Sequence, residues 1–480
     1  MADFTLADRK PSSTLRHQNS SEKGRTIVLR TFAYALAVGI VLTGCGAGVG
    51  TLPSGGFSGA ARHSYGADVL SGPAAAHIIY DFHGGTDGSL PVAGLISDGA
   101  GALYGTTYDG GSTGCGGSGC GSVYKLNPSG KGYKESILYA FAGAPDGQGP
   151  SAGLTIDSTG ALYGTTYVGG NGCLPYGGCG TVFKLTPSGS AYSETVLYSF
   201  QHANDGAYPS AKVIVGSDGA LYGTAEEQGA YGGGTVFKLK TSGSGFKVIY
   251  SFRGGTDGSN PVSGLLAQGK GALYGTTASG GPYDCGTSLP LRCGTVFELT
   301  PTRHGYSERV LYSFRGGTTD GQFPQSDLIA DKQGALYGTT HSGGTGSCTL
   351  SNPPGCGTIF KLTPSGSGYR ESLLYSFLGG TDGEYPGPGF LVDDGKSAGH
   401  LYGGTFLGGN SALCSNGCGT IFALNVSGSG YTESVLYRFK GAKDGANPYG
   451  ALLLGPDHRL FGITGAGGSA NRGTVFRLKT

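Results

Sequence analysis

Tryptophan is absent from this 480-residue chain, and only 13% of its residues are charged, for a net charge of +1. The sparse charge contains no basic run that could track phosphates, which argues against nucleic acid as a main partner. Without tryptophan, any stacking on a sugar falls to tyrosine. Helical periodicity is missing throughout, and the longest apolar run, ahead of Cys45, holds about a dozen residues, too few for a membrane-spanning helix. What abounds is glycine, with 98 residues, far above the ordinary usage of about 7%. Hydrophobic residues still reach 38%, and 29 tyrosines and 21 phenylalanines can furnish a core, so the chain is not a disordered linker.

The first 45 residues read differently from the rest. In "KGRTIVLRTFAYALAVGIVLTGC" the basic residues Lys23, Arg25 and Arg30 precede the apolar run, which ends in Leu42-Thr43-Gly44-Cys45. This is signal-peptide grammar, and the closing tetrapeptide resembles the lipobox of bacterial lipoproteins, which implies cleavage after residue 44 and a lipid on Cys45. An ordinary signal peptide or an uncleaved anchor is the alternative, since the n-region is long. Cleavage leaves 26 basic and 28 acidic residues, a net charge near −2. Residues 45–76 then form a small, polar, aperiodic tether, which would average roughly 30 Å end to end.

From residue 77 onward, four landmarks recur seven times in fixed order with a period of 52 to 65 residues. They are Asp-Gly-x-x-Pro, the same in all seven copies, and "ILYAF", "ALYGTT" and "GSVYKL" or close variants of them. The aspartates opening the turns are Asp87, Asp146, Asp205, Asp257, Asp320, Asp382 and Asp444. Short alternating runs of Val, Ile, Tyr and Phe between Gly, Pro, Asn or Ser read as strands. With the apolar run after each proline ("PVAGLISD"), every unit holds four, here named A (after the proline), B ("ALYGTT"), C ("GSVYKL") and D ("ILYAF"). The expected fold is all-β, a seven-bladed propeller of four-stranded antiparallel blades over residues 77–480. The chain starts with a lone D strand (78–82) and ends with A, B and C (448–478), so the N-terminal strand should complete the last blade and remove an exposed edge. An open β-solenoid is the runner-up.

"GALYGTTYDGG" followed by "GTVFKLTPSG" resembles the GloVer-type tandem repeat of bacterial exported proteins with varied anchors, and the resemblance covers nearly all of residues 77–480. It implies an exported, anchored protein and no established activity, so it brings no catalytic residues.

The B to C loop is what varies between copies. From the Gly of "YG" to the Gly of "GTVF" the intervals are 16, 16, 11, 19, 19, 16 and 11, and the five longer loops each carry two cysteines. The pairs are Cys115 and Cys120, Cys173 and Cys179, Cys285 and Cys293, Cys348 and Cys356, Cys414 and Cys418. The second cysteine always precedes the Gly opening strand C, whereas the first drifts. A shared metal site would need regular spacing and further ligands, so disulfide staples are expected, each giving roughly 2 kcal/mol. An exported chain is in the compartment where they persist. Alternation of strand direction brings B–C loops and D–A turns to one face, the expected working surface.

The remaining chemistry is thin. One aspartate per turn favours turn capping over a calcium ring. Glu226 and Glu227 are neighbours on extended chain and point apart, which disfavours an acid/base pair. His83, His202, His341, His400 and His458 do not align between repeats, so no metal site is expected. A quinoprotein dehydrogenase should show tryptophan-bearing repeats, and a copper radical oxidase needs a free Cys beside Tyr and His ligands. Arg253, Arg315 and tyrosines could meet a sugar carboxylate, which keeps a polysaccharide hydrolase or lyase as the alternative. The expectation is a monomeric, non-catalytic binding protein without cofactor, held to a membrane of the bacterial envelope by lipid on Cys45, its stapled loops presented to a glycan or an envelope protein. A purely structural surface protein is the third reading.

Overall fold

The computed structural model describes residues 75–480 apart from 131, 174–176, 190, 287–291, 349, 351–353, 390, 396–398 and 428–429. The leader, Cys45 and nearly all of the tether lie outside the described residues. The described chain is all-β, with seven antiparallel blades in a propeller ring and three single turns of 3-10 helix. None of its helices is long and apolar enough to cross a membrane. In the first blade the strands run Ile96–Ser97, Leu103–Thr107, Ser122–Ser129 and Gly132–Ala140 from the axis outward.

Strand lengths differ from the sequence expectation in two ways. Most A strands shrink to two or three residues, as in Thr155–Ile156 and Leu266–Gln268. The residues after each proline are mostly small, and they pack against neighbouring A segments instead of laddering with B: a Cβ on Gly94 would stand 2.8 Å from the backbone nitrogen of Ala451. Strands C and D are longer than expected in five blades. There the polar residues "NPS" and "GYKES" continue the hairpin, with exposed and half-buried positions alternating from Gly132 to Ser136.

The ring closes as expected. His77–Asp81 pairs antiparallel with Thr474–Lys479, with Ile78 opposite Phe476 and Asp81 opposite Thr474. The contacts at this seam repeat those of the other six. Phe82 N donates to Gly473 O at 3.1 Å, as Phe439 N does to Gly419 O at 3.0 Å. Phe82 meets Tyr124 edge to face at 5.1 Å, as Phe439 meets Phe476. These aromatic pairs join the D strand of one blade to the C strand of the next, so the core lies between blades. That explains two invariant glycines. A Cβ on Gly223 of strand B would stand 2.5 Å from Cζ of Phe237, so the glycine is the floor on which the next strand's ring lies. Gly234 has φ +91° and would meet Cδ of Pro261 in the next blade at 2.5 Å.

The D strands also bring carboxyl groups together across seams. Glu135 of the first blade faces Asp87 at the end of the N-terminal strand's turn, and burial followed by that negative charge raises it to about 7. Glu194, Glu308 and Glu371 repeat the arrangement at about 7, and Glu433 at about 8. Each has one buried carboxyl oxygen without a partner. A folded value above the ordinary 4.5 means that the stability of these seams is fully present below pH 4.5 and is lost as pH rises through 7 to 8. Melting should therefore occur at a higher temperature at pH 5 than at pH 8. Glu433→Gln should recover roughly 1 kcal/mol at pH 8 after solvent screening. A melting temperature that rises from pH 5 to 8 would contradict this.

Candidate functional site

The seven turn aspartates are occupied within their own turns. Each accepts a hydrogen bond from the Tyr hydroxyl of the preceding D strand (Tyr80, Tyr139, Tyr198, Tyr250, Tyr312, Tyr375 or Tyr437). Each also accepts one from a backbone N–H four or five residues upstream, such as Ala142 N to Asp146 at 2.9 Å. The aspartates therefore set the path of the chain from one blade to the next.

All five cysteine pairs are disulfide-bonded, with Cα separations of 5.1 to 5.4 Å. Alkylation of the intact protein should leave these ten cysteines unmodified until reduction, which mass spectrometry reads directly; free thiols would contradict the pairing. Cys120, Cys179, Cys293, Cys356 and Cys418, the second of each pair, have no exposed surface. Their carbonyls accept the N–H of Gly149, Tyr208, Phe323, Tyr385 and Asn447 at 2.8 to 2.9 Å, in each case the residue before the turn proline of the next blade. In the two unstapled loops, Gly233 and Arg472 carbonyls hold Asn260 and Leu90 in the same way, both at 2.9 Å.

Those seven residues share an unusual backbone. Leu90, Tyr208, Asn260, Phe323, Tyr385 and Asn447 all have φ between +56° and +59°, and Gly149 has +63°. Glycine takes this conformation freely, yet tyrosine, phenylalanine and leucine stand here at a cost of about 1 to 3 kcal/mol each. The N–H groups one step beyond strand B close the arrangement: Tyr108 N donates to Leu90 O, Tyr167 N to Gly149 O, Glu226 N to Tyr208 O and Ala278 N to Asn260 O.

These two sets of residues surround the propeller axis on the loop face and form an aromatic cup. Tyr167 stacks on Tyr208 at 5.2 Å, His341 on Tyr385 at 4.8 Å, and Phe406 meets Tyr449 edge-on at 5.9 Å. Tyr108 lies over Gly149, where a Cβ would stand 2.9 Å from its ring. Tyr108, Tyr167, Tyr208, Phe323, Phe406 and Tyr449 are half-buried, which leaves part of each side chain accessible.

The cup is acidic. Glu226 is 6% exposed, and burial together with Glu227 raises it to about 8. Its charge acts on Tyr167 and Tyr208 beside it, and on Tyr449 from the seventh blade, whose phenol burial and Glu226 push up to about 12. Burial raises Asp109 despite the opposing charge of Arg472. Burial holds His341 down at about 4, so its imidazole is neutral near pH 7. Three residues after the turn proline, Lys212 of the third blade reaches Asp327 of the fifth at 3.1 Å, and Asp327 also accepts Gly264 N at 2.6 Å. That lysine's charge is thus committed to Asp327. The Oγ atoms of Ser151 and Ser210, which occupy the repeat position of Tyr449, are buried without a partner.

Of the residues singled out in the sequence as candidate chemistry, few belong to the cup. Of the five histidines considered, His341 lies in the cup, whereas His83 pairs with Asp87 at 3.4 Å and His400 Nδ1 bonds Asn425 at 2.7 Å. Arg253 and Arg315 lie over the rings of Tyr231 and Tyr283 at 5.2 and 5.3 Å. The signal overlooked was variation inside the repeat: the residue before the proline reads Leu, Gly, Tyr, Asn, Phe, Tyr, Asn, and the one after strand B reads Tyr, Tyr, Glu, Ala, His, Phe, Gly, between otherwise repeated neighbours.

Among solved structures, the chain resembles a nidogen/laminin complex chain at 14% identity and TM-score 0.39, covering 69% of this chain and 94% of that one. It resembles a candidate oxidoreductase (glucose dehydrogenase) from Thermus thermophilus at 15% and 0.41, covering 84% and 99%. A candidate 6-phosphogluconolactonase from Bacteroides uniformis stands at 13% and 0.45, covering 75% and 88%. Likeness at this level says nothing of ligand or activity. No curated protein matches the chain. Five disulfides mark a protein of an oxidising compartment, extracellular or in the cell envelope. The profile of the Gloeobacter/Verrucomicrobia repeat matches residues 41–289, 175–396 and 290–480, and the chain belongs to that repeat family.

Proposed function

We propose that this protein is a lipid-anchored envelope or surface protein that binds a glycan in the axial cup without turning it over. The observation that carries the reading is the aromatic ring at the mouth, where Tyr208, Phe323 and Tyr385 occupy a left-handed position that Gly149 shows to be open to glycine. Bulky side chains kept in strained backbone are characteristic of binding sites. Half-buried rings offer faces to sugar rings, and neighbouring carboxyl groups accept or donate hydrogen bonds to hydroxyls. The disulfides support the same surface by fixing the carbonyls that position five of the seven mouth residues.

A glycan screen with the full chain tests this: saturable binding without product release supports it, whereas product release favours a hydrolase or lyase. A protein ligand is the second reading, favoured by Leu350, Leu378 and Leu413, which are 60 to 61% exposed on loops of the fifth and sixth copies. A peptide arm in the same screen separates the two. The anchor is tested by labelled palmitate, which should enter the wild type and not Cys45→Ser; equal labelling contradicts a lipid on Cys45.

A further inference from the structure

Glu226 is a buried acid without a counter-charge. No hydrogen bond or ion pair to its carboxyl group is found among the described residues, and with 6% of the residue exposed its oxygens are not sealed off as those of Glu135 and Glu194 are. Only its backbone is engaged: its N–H donates to Tyr208 O, and its carbonyl accepts from Asn260 Nδ2 at 3.4 Å. The nearby basic groups are spent, Lys212 on Asp327 and Arg472 beside Asp109. A buried carboxylate left this way is costly unless a cation reaches it. Glu226 takes the ring position held by Tyr108 and Tyr167 in the first two blades, so the acid stands where the repeat otherwise supplies an aromatic ring. Its surroundings are phenol rings: its N–H bonds the Tyr208 carbonyl, Tyr208 stacks on Tyr167, and the Glu226 charge acts on the phenol of Tyr449 in the seventh blade. Aromatic faces around a carboxylate attract an organic ammonium ion by charge and by the ring quadrupole together.

We propose that the cup holds the ammonium group of an amine-bearing sugar against the Glu226 carboxylate, among the rings of Tyr167, Tyr208 and Tyr449. This rests on the carbohydrate reading and narrows it to a chemical class. Burial and Glu227 make Glu226 a weak acid in the empty protein, so an arriving ammonium displaces its proton and supplies the charge that the site lacks.

Titration calorimetry of the full chain with a glucosamine trimer, its N-acetylated form and choline chloride tests the proposal. The glucosamine trimer should bind at least about tenfold more tightly than the acetylated one, and Glu226→Gln should erase that difference. Glu226→Gln keeps the side-chain shape and removes a group that ionises only at a cost in its buried setting, so the melting temperature should not fall. Should that variant fail to fold, Tyr167→Leu keeps the carboxylate and removes a ring face; it should weaken the glucosamine trimer more than the acetylated one. Equal binding of the two trimers, or a preference that survives both variants, overturns the ammonium site and leaves the carbohydrate reading standing. Choline bound through Glu226 in place of glucosamine overturns the amine-bearing sugar and reassigns the site to a quaternary headgroup. A chain that binds no glycan at all overturns both readings.

Discussion

Deleting residues 1–82, and with them the strand His77–Asp81, is expected to leave a chain that does not fold to a stable monomer. The deletion removes one quarter of the last blade and bares the hydrogen-bonding edge of Thr474–Lys479. It also removes Phe82, which has no exposed surface and stands between two blades against Tyr124. Loss of a buried phenylalanine alone costs about 3 to 5 kcal/mol, against a total stability of about 5 to 15 kcal/mol for a domain. Phe82→Ala, the milder version, should lose that amount in urea unfolding while the ring stays closed. A deleted chain that remains monomeric and melts within a few degrees of the full protein would mean that the N-terminal strand does not close the ring.

Asp320→Ala should produce the second large loss, about 3 to 4 kcal/mol, because it empties a buried acceptor and leaves three donors unpaired at once. Asp320 is 4% exposed and accepts from Tyr312 Oη at 2.9 Å, Arg315 N at 2.8 Å and Gly321 N at 2.7 Å. The equivalent Asp257 accepts from Tyr250 and Arg253 N in a more open turn, so Asp257→Ala should cost less. Urea unfolding of the two variants side by side measures the difference. A cost below 1 kcal/mol for Asp320→Ala would contradict the assignment of these aspartates as turn-holding groups.

The architecture was legible because propeller blades announce themselves by repetition. The order of landmarks placed three strands in every unit, and the unmatched strand at each end marked the seam that the pairing of Ile78 with Phe476 completes. The alternation of "GYKESILYA" could have revealed the longer hairpins, since Tyr133 and Glu135 are half-buried between exposed Lys134 and Ser136. The short A strands were not legible. Residues such as Gly94 and Ala451 pack backbone to backbone around the axis, and an apolar run that does this looks like one that ladders.

The cup was illegible for a different reason. A left-handed backbone is uncommon for Tyr208 or Phe323, so nothing in "AYP" or "QFP" distinguishes those residues from ordinary turn positions. The weight of Glu226 is also a long-range property. It depends on Tyr208 from the preceding crossing and Tyr449 more than two hundred positions later meeting at one axis. The cysteines lie between these cases. Their pairing followed from spacing, but their use did not, because the link from Cys179 to Tyr208 is a backbone hydrogen bond between blades.

The most direct test of the cup as the binding site is the dissociation constant of the best ligand from the glycan screen. It should be measured on the full chain, on a Tyr167→Ala/Tyr208→Ala variant, and on Lys134→Ala, whose exposed side chain lies on an outer hairpin. The cup variant should bind at least about tenfold more weakly, at about 1 to 1.5 kcal/mol or more for the lost stacking, with Lys134→Ala indistinguishable from wild type. Unchanged affinity in the cup variant, with its melting transition intact, would contradict the account.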